Sequence, residues 1–412
     1  MSGCVGLFSV GVEQAERRLD DGPGPAPALS TLRVLLGALP LQFAFGLIYS
    51  WGAVAPFVHR DLHWSGLLIS AVFSATPLGY GTGIVVGGRA ADSIPPRRLC
   101  WAGLALMTVG LLIALTYPSG PTFIFLYAML GLGLGGGLGL AGSIAAARQA
   151  MPGREGTAGG LVTGAYALAA PIQVPLVSLL AESFGWLAAL RGIAAAMILI
   201  AAATLAVMPS IRAPARPAGH DSAPTVLSLV SRPRIFTAFL LEVASTPLGA
   251  YAFVNTASYS RGLVMAAVAT AAITAVAIGN AIGRMAGGAL SDRIGVDQVM
   301  LATLLLDAVA AVVFFLPPGG AAVLGAALLA GLGFGIPAGV VSRLSQDAAP
   351  DAPNAAFGLI FVGFAVGAGG GSLIGAAVGG SYAWLLLGLV ALAGLAVIAA
   401  RLGLRAKVPV AG

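Results

Sequence analysis

Arg284 is a guanidinium deep in an apolar stretch, and Asn280 precedes it by four residues. Residues four apart on a helix share a face, so the two present a fixed cation beside a neutral amide. A charge in hydrocarbon costs about 3 kcal/mol or more, which makes Arg284 a functional candidate by default. The competing reading is a structural arginine paired with Glu242. Glu242 and Asp307 are the acids within apolar stretches. A carboxyl group there is either protonated at neutral pH or held ionised by an arginine. For Asp307 a structural or partly snorkelled role is expected. Asp92 and Asp292 close two similar turns, Gly88-Arg-Ala-Ala-Asp92 and Gly288-Ala-Leu-Ser-Asp292-Arg293. His59, His63 and His220 are placed in loops. His59 and His63 are four apart but have no third ligand, so no metal or other cofactor is expected.

The elements that hold these residues are read from composition. The chain has 412 residues, 58% hydrophobic and 9% charged, with a mean hydropathy of +0.96. A soluble domain carries about 25% charged residues. Runs near 20 residues with few charges read as membrane helices. Twelve are predicted, at 32–56, 65–88, 98–117, 121–146, 158–181, 185–208, 233–257, 263–290, 297–317, 320–343, 356–378 and 382–402. The expected organisation is a cytoplasmic tail at 1–31, a six-helix half at 32–208, a cytoplasmic linker at 209–231, a second six-helix half at 232–403 and a short tail at 404–412.

Basic residues set the orientation. With both termini in the cytoplasm, 17 Lys and Arg fall on the inner side and 3, Arg60, Arg191 and Arg261, on the outer side. The pI near 9.7 then reports orientation in the plasma (inner) membrane and no nucleic-acid binding. The polar start, with Glu13, Glu16, Asp20 and Asp21 among Gly and Pro, reads as a tail rather than a signal peptide. Cys4 and Cys100 both fall on the inner side, where a disulfide is not expected.

The chain repeats itself 200 residues apart: Gly79, Gly83, Gly87, Gly88 and Asp92 recur as Gly279, Gly283, Gly287, Gly288 and Asp292, and Gly131, Gly133, Gly135 and Gly139 as Gly331, Gly333, Gly335 and Gly339. A duplicated bundle of this kind is the mark of a secondary transporter whose site lies where the halves meet. Glycine triplets spaced by four mark spans 2, 4, 5, 8 and 10, and span 11 carries Gly363, Gly367, Gly371, Gly375 and Gly379. Such stripes bring backbones close, either as static packing or as a surface over which the halves rock. The same register pairs Gln42 with Glu242, Tyr80 with Asn280 and Ile84 with Arg284, so the cation has no twin.

The two Gly-x-x-x-Asp turns resemble the cytoplasmic signature of the major facilitator superfamily. The resemblance covers the chain from about residue 32 and implies an all-α fold of twelve membrane helices in two pseudo-symmetric halves. It implies gating roles for Asp92 and Asp292, which latch the inner face. The first copy departs from the pattern, with Ser93-Ile94-Pro95 in place of the usual basic residue and glycine. Its latch is expected to be the weaker. Gly46-Leu-Ile-Tyr49-Ser-Trp51 together with Asn280-x-x-x-Arg284 resembles the oxalate/formate antiporter family and bacterial monocarboxylate transporters. That resemblance implies a substrate carboxylate on Arg284, supported by Asn280 and Tyr49. Tyr127, Tyr166 and Phe334 match its cavity aromatics only by helix and approximate depth. Span 11 lacks the second cation expected of an oxalate carrier, and a dianion on one arginine would leave a buried charge uncompensated.

The expected function is secondary active transport of a small organic monocarboxylate by alternating access, with the proton carried by Glu242. The expected partners are that carboxylate, a proton and the lipid bilayer, around a monomer. The alternatives are a carboxylate exchanger, or, in a different class, a multidrug exporter or non-transporting nutrient sensor of the same fold. An enzyme is not expected, because no nucleophile–base pair occurs in the spans.

Overall fold

The computed structural model describes residues 28–211, 226–260, 264–316, 319–378 and 380–406. The first 27 residues, most of the linker, and Cys4, His220, Arg261, Gly379 and Lys407 lie outside them. Every regular element among the described residues is a helix. Twelve are long and apolar enough to cross a membrane: α1 Ser30–Leu62, α2 Gly66–Ala90, α3 Pro96–Thr116, α4 Thr122–Ala150, α5 Glu155–Phe184, α6 Trp186–Val207, α7 Pro233–Phe253, α8 Ala271–Ile294, α9 Val296–Phe315, α10 Gly320–Ala348, α11 Pro353–Gly371 and α12 Tyr382–Leu402. An even number of crossings puts the first and last described helix ends on one side, here the terminal side; the other is the far side.

Local chemistry explains the joints. Gly185 and Gly295 are single-residue turns between α5 and α6 and between α8 and α9, with φ of 84° and 89°, which side-chain-bearing residues rarely adopt. Pro96 and Pro233 start their helices at positions where the missing N–H costs nothing. α1 runs further than predicted. His59 and Arg60, expected in a loop, lie in its last turn, and His63 follows with φ 52°. His59 Nδ1 sits 2.7 Å from the Trp64 carbonyl oxygen.

Two spans are interrupted at equivalent places in the repeat. α1 tightens to a 3-10 turn over Gly46–Ser50. α7 breaks at Thr246, between Pro233–Ser245 and Pro247–Ser260. Pro247 has no N–H to continue the ladder. Thr246 Oγ1 answers a carbonyl on each side, Glu242 O at 3.0 Å and Phe364 O at 3.3 Å. α4 opens with π-helical turns over Thr122–Leu134.

The glycine stripes separate into two kinds of contact. A Cβ on Gly83 would strike the Leu134 carbonyl, and one on Gly283 would stand 2.6 Å from the Leu332 carbonyl. These stripes pack α2 on α4 and α8 on α10 inside each half. Gly363, Gly367 and Gly371 likewise seat α11 on α7. The α5 stripe is different. A Cβ on Gly160 would stand 3.1 Å from Gly288 Cα across the two halves, and Gly156 faces Ser291 and Gly288. Most of the repeated glycines therefore pack helices within a half, and the close inter-half surfaces are α5 against α8 and α2 against α11, where a Cβ on Gly88 would strike the Asn354 carbonyl and one on Gly358 would stand 2.9 Å from the Ile84 carbonyl. A buried apolar cluster also crosses the junction, including Ile84, Ile144 and Val162 from one half and Ile336, Val340 and Phe357 from the other.

Candidate functional site at the junction of the halves

Arg284 lies on α8 at this junction and is 3% exposed. Its Nε donates to Asn280 Oδ1 at 3.0 Å, the four-residue spacing read from the sequence. Its Nη1 reaches the Thr163 carbonyl oxygen on α5 of the other half at 3.5 Å. Among the described residues no carboxylate stands within ion-pair distance of it. Instead its guanidinium carbon lies 5.7 Å from the Phe364 ring centre and 6.0 Å from that of Tyr166. Ring faces attract a cation without neutralising it. Asn280 Nδ2 is buried with no hydrogen-bond acceptor among the described residues. The Tyr49 hydroxyl approaches the same carboxamide. A buried cation without a counter-ion, next to a buried donor without an acceptor, is an incomplete polar site that an anion would complete.

Around this pair the aromatic side chains form a closed circuit. From Tyr49 to Phe253 the ring centres are 5.9 Å apart, Phe253 to Phe334 6.1 Å, Phe334 to Phe364 5.0 Å, and Phe364 to Phe361 5.1 Å. Phe361 to Tyr80 is 6.2 Å, Tyr80 to Tyr166 5.6 Å, and Tyr166 back to Tyr49 5.4 Å. The circuit passes through α1, α2 and α5 of one half and the α7 helix, α10 and α11 of the other. Tyr49, Tyr166 and Phe334 were named from the sequence and are brought together here. Tyr80 was noticed only as the register twin of Asn280. Phe253, Phe361 and Phe364 were missed. Tyr127 is not in the circuit. It packs inside the first half against Phe123 at 5.1 Å and Trp51 at 5.9 Å, and its buried hydroxyl has no hydrogen-bond partner among the described residues.

Glu242 is fully buried on α7, and neither carboxyl oxygen has a hydrogen-bond partner among the described residues. The ion pair with Arg284 that the sequence allowed does not form in this structure. Glu242 instead packs against α11, where a Cβ on Gly363 would stand 3.1 Å from its own Cβ. Its register twin Gln42 is also buried and donates to Ser143 Oγ at 3.1 Å. Asp307 is buried on α9 against Gly333 of α10, outside the aromatic circuit, and does not snorkel.

The halves are tied at the terminal side by polar contacts. Asp292 accepts from the backbone N–H groups of Gly156 and Thr157 at 2.8 and 2.7 Å and from Thr157 Oγ1 at 2.7 Å. These are the free donors at the start of α5, where the helix dipole favours an anion. Arg343 of α10 pairs with Glu155 of α5 at 3.1 Å. Asp92 accepts from Asn354 Nδ2 at 3.1 Å, at the start of α11. Arg148 completes this second tie. It is 7% exposed and donates to Ser342 Oγ at 2.8 Å, Asn354 Oδ1 at 3.3 Å, the Ser342 carbonyl and Ser345 Oγ. The sequence had counted Arg148 only among the inner-loop charges.

Among the described residues, twelve membrane-length helices form two interlocked halves with a buried cation between them that has no carboxylate partner. The family model described as Major Facilitator Superfamily matches residues 34–367, and the chain belongs to that superfamily. Among solved structures it is similar to a transporter of the superfamily, FucP, in the outward conformation, with a TM-score of 0.71 and 15% identity over 90% of this chain and 98% of that one. A variant of the E. coli fucose:proton symporter FucP gives a TM-score of 0.70 at 15% identity, over 90% of this chain and 99% of the other. At that identity the likeness concerns the fold.

Proposed function

We propose that the chain carries a small organic monocarboxylate by alternating access, in symport with a proton. The observation that carries the reading is Arg284, buried without a counter-ion among the described residues, beside Asn280 Nδ2, which has no acceptor among them. A monoanion bound there gives a nearly neutral load, which lowers the cost of moving the site through a dry junction. The load binds Arg284, Asn280 and Tyr49, walled by Tyr166 and Phe334. A neutral sugar, the cargo named for FucP, would leave the cation uncompensated. Counterflow of labelled acetate, lactate, pyruvate, formate, oxalate and L-fucose in proteoliposomes tests this. Monocarboxylates are expected to exchange and to outcompete oxalate at neutral pH. Oxalate winning by tenfold or more would favour the carboxylate-exchange reading, and exchange of L-fucose alone would overturn both.

Glu242 is the proton carrier of this scheme. Ionised, its carboxylate would be an uncompensated charge where it now sits; protonated, it is neutral. The halves therefore reorient with the proton in place. Glu242 and Arg284 do not touch, so the link between them is mechanical: Thr246 bridges the α7 backbone beside Glu242 to the carbonyl of Phe364, whose ring covers Arg284.

Asp92 and Asp292 act as gates of the terminal side, which the basic-residue bias assigns to the cytoplasm of a plasma-membrane protein. Asp292→Asn replaces one of the acceptor oxygens with a donor facing donors. Losing charge-assisted bonds of about 1.5–3 kcal/mol should favour opening by roughly tenfold or more. The measurement is the labelling rate of Ala158→Cys, buried between the halves, by a soluble maleimide in a chain whose native cysteines are replaced by serine. An unchanged rate would remove Asp292 from the gate.

A further inference from the structure

We propose that the transported acid is an aryl monocarboxylate, with its carboxylate on, or within two bonds of, a six-membered aromatic ring. The inference rests on the monocarboxylate reading of Arg284 and narrows it from the wall of the same site. That wall is unevenly polar. The first half contributes Tyr49, Tyr80 and Tyr166, each with a hydroxyl, while the second half contributes only phenylalanines to the circuit. The circuit's hydroxyls are thus all on the first half, and the Arg284 guanidinium lies between the two sides, against Tyr166 of one and Phe364 of the other. Among the described residues Arg284 hydrogen-bonds through Nε and Nη1 only, which leaves Nη2 free, and Asn280 Nδ2 has no acceptor. Together with the tyrosine hydroxyls they can fill the roughly four lone-pair directions of one carboxylate.

Away from the guanidinium, the second-half side of the circuit, Phe253, Phe334 and Phe361, offers the body of the load ring surface and no hydroxyl. A hydroxyl or second charged group placed there would lose its water without finding a partner. A short aliphatic acid satisfies the head but leaves the phenylalanine wall unfilled. A flat apolar ring uses it. Neighbouring rings of the circuit meet at interplanar angles from 28° to 66°, so they offer both faces and edges. Aromatic pairs favour such offset and tilted arrangements at centre distances of about 4.5–7 Å, beyond what area alone supplies.

The test is calorimetric titration of the purified full chain in lipid nanodiscs with benzoate, cyclohexanecarboxylate, acetate and lactate. Benzoate is expected to bind at least about tenfold tighter than acetate or lactate, and about twofold to tenfold tighter than cyclohexanecarboxylate, which matches it in size without a π system. Phe334→Leu, which keeps apolar bulk but removes a ring, should narrow the gap between the two ring acids. A benzoate advantage over acetate and lactate of less than tenfold overturns the inference, as does cyclohexanecarboxylate binding as tightly as benzoate. If the small acids still bind in an Arg284-dependent manner, the monocarboxylate reading survives that failure. Binding of none of the four acids overturns both.

Discussion

Glu242→Gln is expected to exchange labelled monocarboxylate across a proteoliposome membrane at close to the wild-type rate, yet to lose accumulation driven by an inward proton gradient. The amide is permanently neutral, as the protonated carboxyl is, so the halves reorient whether or not a proton is available. Exchange survives because each half-turn still carries a load on Arg284. Uphill transport fails because no step then requires a proton. The site accepts the shape: the register twin Gln42 is an amide buried at the equivalent place of the other half. Gradient-driven uptake and counterflow are measured on the same vesicles. If the variant still accumulates substrate, Glu242 is a structural residue and the proton travels by another route.

Arg284→Ala is expected to abolish counterflow while leaving a folded protein. Truncating one member of a buried, hydrogen-bonded charge pair costs about 3–5 kcal/mol, so affinity should fall at least about a hundredfold. Stability should behave differently. In the empty protein Arg284 has no acidic partner among the described residues, so its removal orphans no charge. The thermal midpoint of the unliganded variant should stay close to that of the wild type, the lost hydrogen bond to Asn280 Oδ1 being set against relief of an uncompensated buried charge. Arg284→Lys should fail nearly as far. One ammonium cannot hold Asn280 Oδ1 and also present a planar fork to a carboxylate. A midpoint several degrees lower, with exchange intact, would mark Arg284 as structural.

The parts legible in the sequence were those set by local pattern. Span positions follow from apolar length, and the Arg284–Asn280 hydrogen bond follows from four-residue spacing on one helix. Relations across the junction were not legible. The sequence allowed Glu242 as the partner of Arg284, but position along a helix does not fix which way a side chain faces, and Glu242 packs against α11. Tyr127 shows a second limit. It sits in the π-helical part of α4, where turns of i→i+5 shift the helix faces away from a regular reading, and it packs inward against Phe123. Arg148 stands near a span end, where an arginine is read as a loop charge. Its acceptors, Ser342, Ser345 and Asn354, are about 200 residues away and were invisible to local pattern. Phe361 and Phe364 lay in a span noted for its glycines and for having no cation.

Equilibrium binding of a labelled monocarboxylate to the purified chain at neutral pH tests the central claim most directly. Wild-type protein should show one saturable site per chain, and Arg284→Ala should show none at concentrations that saturate the wild type. Wild-type affinity in Arg284→Ala would contradict the account, because the buried guanidinium would then not be what holds the load.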